Sequence, residues 1–206
     1  MSFQPISREN PLVLASHSPR RKRLLQQIGL PFRSLPSHVE EDQVLGEPPV
    51  KAVLLAESKA RAACAKSQDG WILGADTMVV MGERILGKPI DHEEAHFMLS
   101  LLAGKEHKVI TGFCLLNPSG EMARSEAVTT LVKVKRLDEK EINAYVATGE
   151  PFGKAGSYAI QGVGAFLVES ISGSYTNVVG LPVCALIKSL FAVGALKNFP
   201  LSLQFV

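Results

Sequence analysis

The chain has 206 residues, of which 46% are hydrophobic and 20% charged, a composition typical of a globular protein with a substantial core. Its 22 basic and 20 acidic residues leave a formal net charge of +2, which argues against a protein that coats nucleic acid. The three cysteines are far apart in the sequence, so we expect no disulfide framework. The N-terminus lacks the basic and apolar regions of a signal peptide, and no apolar run is long enough to span a bilayer. We therefore expect a cytoplasmic protein without a membrane segment.

The first predicted elements are a strand, a tight loop and a helix. Residues 12–15 are an apolar run, Ser18 is a suitable N-cap, and Pro19 suits the first helical position. Residues 20–23 are four cations in the first turn, although the helix dipole already makes that end positive. A bound polyanion resolves this conflict, so we predict a phosphate-bearing ligand here. The alternative is a solvated basic helix with nothing bound.

The remaining predicted elements alternate between strands and helices. We predict strands over residues 32–35, 71–81, 109–116, 128–134 and 166–171, and helices that begin at Pro48, Asp91, Asp138 and Pro182. Glu94 and Glu141 each follow a capping Asp by three residues, as in a capping box. Residues 117–120 form a turn between two strands, so we expect an α/β fold with a mixed sheet.

Asp76 interrupts the most apolar predicted strand. Aspartate is uncommon in strands, and burying a carboxylate without a partner is costly. We predict that Asp76 is a general base or a metal ligand at a strand end, the alternative being a structural Asp paired with a buried cation. Glu41, in the acidic loop 40–42, would supply a second carboxylate for Mg²⁺, although a solvated acidic loop is the simpler interpretation.

Three lysines and a glutamine are further candidate ligands. Lys59, Lys88 and Lys154 are candidate phosphate contacts, although Lys59 lies opposite an apolar helix face and is also consistent with an ordinary surface lysine. Gln161, in the glycine-rich segment 154–162, offers a donor and an acceptor from one amide. That pair matches an edge of uracil or thymine, but guanine offers a similar edge.

Two other motifs suggest rival functions. Residues 92–96 match H-E-x-x-H, which would make His92, Glu93 and His96 the centre of a zinc hydrolase. The motif sits in a first helical turn and lacks the extended metzincin pattern, so we disfavour zinc. Residues 149–154 resemble a P-loop but are one residue short, and Ala155 stands where a Ser or Thr is required.

Five segments together resemble the Maf family of nucleoside triphosphate pyrophosphatases, and the match runs from about Leu12 to Leu186. They are Ala-Ser-His-Ser-Pro-Arg-Arg at 15–21, Gly-Ala-Asp-Thr at 74–77, Gly-Lys-Pro at 87–89, Lys-Ala-Gly-Ser-Tyr-Ala-Ile-Gln-Gly at 154–162 and Val-Gly-Leu-Pro at 179–182. The resemblance implies one domain over residues 1–206, with an elongated mixed sheet, flanking helices and two lobes around a central cleft, similar to inosine triphosphate pyrophosphatase. Residues 195–206, which we call the tail, match nothing in the family.

The resemblance also implies roles for individual residues. Asp76 matches the proton acceptor, and Arg20, Thr77 and Gln161 match the positions that set base preference. These residue types resemble the dTTP/UTP branch, because the 7-methyl-GTP branch typically has Trp, Gln and Glu. Residues in polar positions of the cleft, which would bind phosphate or substrate, are Ser16, Ser18, Arg21, Lys59, Lys88 and Lys154, with Asp76 and Glu41 at a Mg²⁺ or Mn²⁺ ion. His17 departs from the family, which often has a small residue there.

The sequence therefore predicts an enzyme that hydrolyses dTTP and UTP, and modified pyrimidine nucleotides, to the nucleoside monophosphate and pyrophosphate. A non-catalytic nucleotide-binding regulator of septum formation is the main alternative, since the resembled family has been linked with inhibition of septum formation. We expect a nucleoside triphosphate as the partner, with no nucleic acid and no membrane, and we allow for a homodimer.

Overall fold

The structure, a computed structural model, describes residues 3–36, 39, 44–67 and 70–201. The strands are β1 (Leu12–Ala15), β2 (Phe32–Ser34), β3 (Ile72–Met81), β4 (Arg84–Leu86), β5 (Glu106–Leu116), β6 (Met122–Val134) and β7 (Val168–Ser172). The helices are α1 (Pro19–Gln27), α2 (Pro48–Cys64), α3 (His92–Leu102), α4 (Glu139–Ala147), α5 (Tyr175–Val179) and α6 (Val183–Ala192). Two short 3-10 turns cover Ala155–Ser157 and Gly162–Leu167. Glu41 and residues 202–206 of the tail lie outside the described residues.

The strands form one mixed sheet of seven strands in the order β2-β1-β3-β5-β6-β7, with β4 paired to β3. Strand β1 runs parallel to both β2 and β3, whereas the β3–β4 and β6–β7 pairs are antiparallel. The predicted α/β fold with a mixed sheet and flanking helices is therefore confirmed. No helix within the described ranges is long and apolar enough to cross a membrane.

The chain divides into two compact units. The first unit comprises Met1–Asp76, Thr111–Val128 and Gly180–Val206, and the second comprises Thr77–Ile110 and Thr129–Val179. Each unit has its own apolar cluster. In the first unit the cluster includes Val13, Ala56, Ile72 and Cys114, and in the second it includes Leu99, Val109, Ile142, Tyr145 and Leu167. The arrangement of two lobes around a cleft stays a prediction.

Helix α2 packs unusually close to the sheet through a row of small residues. A Cβ at Gly74 would overlap the carbonyl oxygen of Ala56, and one at Gly112 would overlap the backbone at Ala52. The face of α2 with no exposure at all is therefore built from alanines, whereas Val50 and Leu54 are 55% and 39% exposed. Val50 and Leu54 belong to the apolar helix face opposite Lys59 in the sequence, yet they are not the buried side of α2, because only small side chains allow such close packing.

The predicted helix starts are largely confirmed. Ser18 caps α1 with its hydroxyl, which accepts from the Arg21 backbone N–H, and Asp138 and Glu141 form the complete capping box of α4. The box predicted for α3 is only half formed. Asp91 accepts from the Glu94 N–H at 2.8 Å, but the Glu94 carboxylate accepts from the N–H of Ile90 instead of Asp91.

Parts of the chain depart from the sequence prediction. Strand β6 begins at Met122 and not at residue 128 as predicted, and β7 begins at Val168 because a 3-10 turn covers the predicted strand start at 166. Helix α5 was not predicted. Its buried Asn177 donates to the carbonyl of Val109 at 3.0 Å and to Thr130 Oγ1 at 2.9 Å, so distant residues stabilise it. The apolar tail begins as part of the first unit, because Ala195 is fully buried and its carbonyl accepts from the Ile6 N–H at 2.8 Å.

Candidate functional site

The candidate residues of the first unit lie near the carboxyl end of β1 and on the neighbouring parallel strand β3. Ala15 is the last residue of β1 and pairs with Gly74 of β3. The chain leaves β1 at Ser16, whereas Asp76 lies in the middle of β3, two residues past the Ala15–Gly74 pair, and not at a strand end as predicted. Open α/β sheets bind their ligands beyond the carboxyl ends of parallel strands, so this edge is the expected place for a site.

Asp76 is buried and forms an ion pair with Lys59. The carboxyl group belongs to a residue that is 8% exposed, and Lys59 Nζ lies 2.6 Å from Asp76 Oδ1. The Lys59 side chain is itself only 13% exposed, so it is not an ordinary surface lysine. Asp76 and Gly74 lie on the same face of β3, and Gly74 brings α2 close enough for Lys59 to reach the carboxylate. The structure therefore joins two of the predicted site residues.

The loop between β1 and α1 is organised by Arg21, which is 9% exposed. Arg21 Nη1 donates to Ser16 Oγ at 3.1 Å, and Nε donates to the carbonyl of Gly180 at 2.7 Å. Ser16 Oγ also accepts from the Ser18 N–H at 3.2 Å. Ser16, Ser18 and Arg21 are thus brought together, with the Arg21 guanidinium turned into the first unit rather than into solvent.

The other cations of α1 differ from Arg21 in their burial. Arg20 is half-buried, and burial lowers the pKa of its guanidinium without removing the positive charge at neutral pH. Arg23 is exposed, and so is His17 in the loop before α1. Pro19 has no N–H, and the N–H groups of Arg21 and Lys22 donate to Ser18. The side chain and backbone N–H of Arg20 are consequently the parts of this helix start that suit an anion.

The candidate residues of the second unit lie on three segments that meet at Gly156. The Gly156 N–H donates to the carbonyl of Gly87 at 3.0 Å, next to the exposed Lys88. Gly156 has φ +71°, and a Cβ there would come within 2.8 Å of Val79, which follows Thr77 by two residues. Lys154 precedes Gly156 by two residues. The structure therefore brings the segments of Thr77, Lys88 and Lys154 together.

Gln161 is half-buried and directly precedes the 3-10 turn Gly162–Leu167. The sequence missed the residue that organises this segment, Glu150. Its carboxylate accepts from the backbone N–H groups of Val163 and Gly164, at 3.1 and 2.6 Å, and Lys154 Nζ donates to its carbonyl oxygen. The P-loop-like residues 149–154 thus carry an anion, the Glu150 carboxylate, that binds backbone N–H groups of another segment. A phosphate-binding loop would instead offer its own N–H groups to an anion. Gly162 and Gly164 were the available signal, because glycines that admit a close neighbour often mark such contacts.

The H-E-x-x-H motif does not form a zinc site. His96 Nε2 pairs with Glu139 Oε2 at 2.8 Å, and the His92 ring packs edge-on against Phe152, with centroids 5.0 Å apart. A cavity of about 600 Å³ lies beside the motif. Its lining residues are His92, Glu93, His96, Asn143, Val146 and Ala147. Within the described parts of the chain, no three His, Cys, Asp or Glu side chains are grouped as metal ligands.

The donor set at Asp76 suits a metal that takes few protein ligands. Mg²⁺ is usually held by one or two carboxylates, several waters and substrate phosphates rather than by a complete protein cage. Asp76 offers a buried carboxylate, one oxygen of which already contacts Lys59. A Mg²⁺ or Mn²⁺ ion that shares Asp76 with a polyphosphate fits this chemistry, whereas a closed structural zinc site does not.

Comparison with known proteins places the chain in a family. The family model described as "Maf-like protein" matches residues 11–193. A protein of Ruminiclostridium cellulolyticum named dTTP/UTP pyrophosphatase is 54% identical over 173 residues, which cover 83% of this chain and 90% of that protein. A protein of the same name from Geobacter sp. strain M21 is 50% identical over 188 residues, 91% of this chain and 97% of that protein.

Among solved structures, the nucleoside-triphosphatase / dITP/XTP pyrophosphatase of Mycobacterium abscessus aligns with 92% of this chain and 99% of its own, at 15% identity and a TM-score of 0.45. This likeness is too distant to bear on the activity. The family model and the two close relatives, each matching most of the chain, show that the protein belongs to the Maf-like family.

Proposed function

We propose that the protein is a nucleoside triphosphate pyrophosphatase that hydrolyses dTTP and UTP to the nucleoside monophosphate and pyrophosphate. The observation that carries the proposal is the 54% identity, over 83% of this chain, to a relative named dTTP/UTP pyrophosphatase. The buried Asp76–Lys59 pair supports it, because a carboxylate held in one position by a cation suits a general base or a metal ligand in an attack on phosphorus.

In this proposal the first unit supplies the reacting groups. Asp76 accepts a proton from the attacking water or orients it, and Lys59 holds the carboxylate in one position. The Arg20 side chain and its backbone N–H bind phosphate oxygens. Arg21 keeps Ser16 and Ser18 in place through its bonds to Ser16 and Gly180, so its main contribution is to shape the loop.

A Mg²⁺ or Mn²⁺ ion belongs to the proposal. Asp76 would hold it, with Glu41 as the second carboxylate suggested by the sequence. When bound, the ion would neutralise phosphate charge and favour the departure of pyrophosphate. Lys88 and Lys154 would add positive charge on the second unit's segments, and most of the rate enhancement would come from positioning and electrostatic stabilisation.

Base preference is assigned to Arg20, Thr77 and Gln161. The Gln161 amide can donate to one base carbonyl and accept from the adjacent N3–H of uracil or thymine. Removing the amide donor with Gln161→Glu should weaken the preference for pyrimidine nucleotides. If the ratio of the rates on UTP and GTP is the same in the variant as in the parent, Gln161 does not recognise the base.

The test is a panel of nucleoside triphosphates, with and without Mg²⁺, in which pyrophosphate, orthophosphate and nucleotide products are quantified. We expect dTTP and UTP to give monophosphate and pyrophosphate in the presence of the metal, and Asp76→Asn to lower turnover by ~10³-fold or more. Glu169→Gln, which changes an exposed carboxylate in a surface ion pair with Lys133, is the matched control. Orthophosphate with a nucleoside diphosphate as products, or near-normal turnover in Asp76→Asn, would contradict the proposal.

A further inference from the structure

The carboxylate of Glu150 accepts hydrogen bonds from three donors in the second unit. Its Oε1 accepts from the Val163 N–H at 3.1 Å, and its Oε2 accepts from the Gly164 N–H at 2.6 Å. Oε2 also accepts from the Tyr145 hydroxyl at 2.8 Å. Hydrogen bonds to an ionised acceptor are stronger than neutral ones, so Glu150 is a firm anchor for this segment.

Tyr145 extends the same anchor to a second stretch of backbone. Its hydroxyl donates to Glu150 and accepts from the Ala159 N–H at 3.2 Å. The residue is 1% exposed, and its ring packs edge-on against Phe166. Burial, followed by the hydrogen bond to Glu150, raises the pKa of Tyr145, so the hydroxyl keeps the proton that it donates.

These contacts fall on both sides of Gln161. Ala159 precedes Gln161 by two residues and Val163 follows it by two, so one phenol–carboxylate pair holds both flanks. The backbone near Gln161 can approach Glu150 and Ala159 this closely only because residues 162 and 164 are glycines. Gly162 has φ +74°, and a Cβ there would overlap Glu150 Oε1, whereas a Cβ at Gly164 would overlap the carbonyl of Ala159.

We propose that Tyr145 and Glu150 are positioning residues that set base selectivity by fixing the backbone that carries Gln161. The inference rests on the proposed function, since it requires Gln161 to contact the base. An amide that has a donor and an acceptor discriminates between bases only if its orientation is held, and a loosely held segment would accept either edge. Neither Tyr145 nor Glu150 needs to contact the nucleotide.

Tyr145→Phe is the first test because it keeps the buried ring and removes only the hydroxyl. We expect the ratio of kcat/KM for dTTP to that for GTP to fall about tenfold, the scale of one lost buried hydrogen bond. Glu150→Gln should lower the ratio in the same direction. Tyr175→Phe is the matched control, since Tyr175 is 44% exposed and belongs to another helix. Equal losses on both substrates, with an unchanged ratio, would mean a merely structural role and would overturn the proposal.

A double-variant comparison tests whether the pair acts through Gln161. With Gln161→Ala in the background, Tyr145→Phe should cause no further change in the dTTP/GTP ratio, because the amide to be positioned is gone. A second, additive fall in the ratio would show that Tyr145 sets selectivity by another route, and the proposal would be wrong.

Hydrogen exchange tests the anchoring without reference to activity. The amides of Ala159, Val163 and Gly164 should exchange faster in Tyr145→Phe and in Glu150→Gln than in the parent, with no change in Tyr175→Phe. Unchanged exchange would overturn the anchoring. A parent protein inactive on every triphosphate would overturn the proposed function and the selectivity role with it, and exchange would then still report whether the pair holds this segment.

Discussion

Lys59 and Asp76 are buried charged side chains, and each provides the opposite charge that the other needs away from water. The two charged groups lie 2.6 Å apart, and each side chain is little more than a tenth exposed. Removing one partner of such a pair leaves the other charge poorly solvated, which costs far more than the pair itself contributes. The pair also holds the carboxylate in one rotamer, so stability and the proposed chemistry depend on the same contact.

We expect Lys59→Met to lower the free energy of unfolding by on the order of 3 kcal/mol, measured by urea denaturation, because Asp76 loses its cation. Lys59→Arg keeps a positive charge and should recover part of the loss. Turnover should follow the same order, since the carboxylate is no longer held. A Lys59→Met protein as stable as the parent would show that the ion pair contributes nothing.

At the scale of elements, α2 packs close to the sheet because the residues at the contact are glycines in the strands and alanines in the helix. The carbonyl of Ala56 occupies the space that a Cβ at Gly74 would need, and the backbone at Ala52 does the same at Gly112. This close packing lets Lys59 reach Asp76 from the helix. The geometry of the candidate site is thus a consequence of helix–strand packing as well as of the residues that line it.

Gly74→Ala should therefore destabilise the protein by about 3 kcal/mol, because the helix or the strand must move to admit a methyl group. Gly87→Ala is the matched control, since nothing lies within 4 Å of a Cβ at that position. We expect its free energy of unfolding to stay within about 0.5 kcal/mol of the parent. Equal denaturation midpoints for the two variants would contradict the packing argument.

At the scale of the whole molecule, we expect the buried His107 to make the folded protein less stable in acid. His107 is 2% exposed, its Nε2 lies 2.7 Å from the Tyr158 hydroxyl, and burial lowers its pKa to about 4. The unfolded chain binds a proton near pH 6.5, whereas the folded chain does not bind it until about pH 4. The contribution of His107 to stability is therefore complete above pH 6.5 and is lost as the pH falls towards 4.

We expect the free energy of unfolding to fall by about 2 kcal/mol between pH 7.5 and pH 5 on account of His107, a range in which most carboxylates stay ionised. His107→Phe should flatten this dependence in urea denaturation series at several pH values. His92→Phe, which removes an exposed imidazole from α3, is the matched control. If the free energy of unfolding of His107→Phe depends on pH as steeply as that of the parent, His107 is not the source of the pH dependence.

Apart from helix α5, the sequence by itself determined the order of strands and helices, the Ser18 cap of α1 and the capping box of α4, because these features depend on residues within a few positions of one another. It also indicated Asp76, since a carboxylate in an apolar strand is conspicuous without any knowledge of the fold.

Only the tertiary structure decided which distant groups meet. Lys59 reaches Asp76 from α2, Arg21 donates to the carbonyl of Gly180, and Asn177 stabilises α5 through Val109 and Thr130. Glu150 holds backbone N–H groups 13 and 14 residues further along the chain. These partners are selected by how helices and strands pack, and local sequence patterns carry no record of that packing.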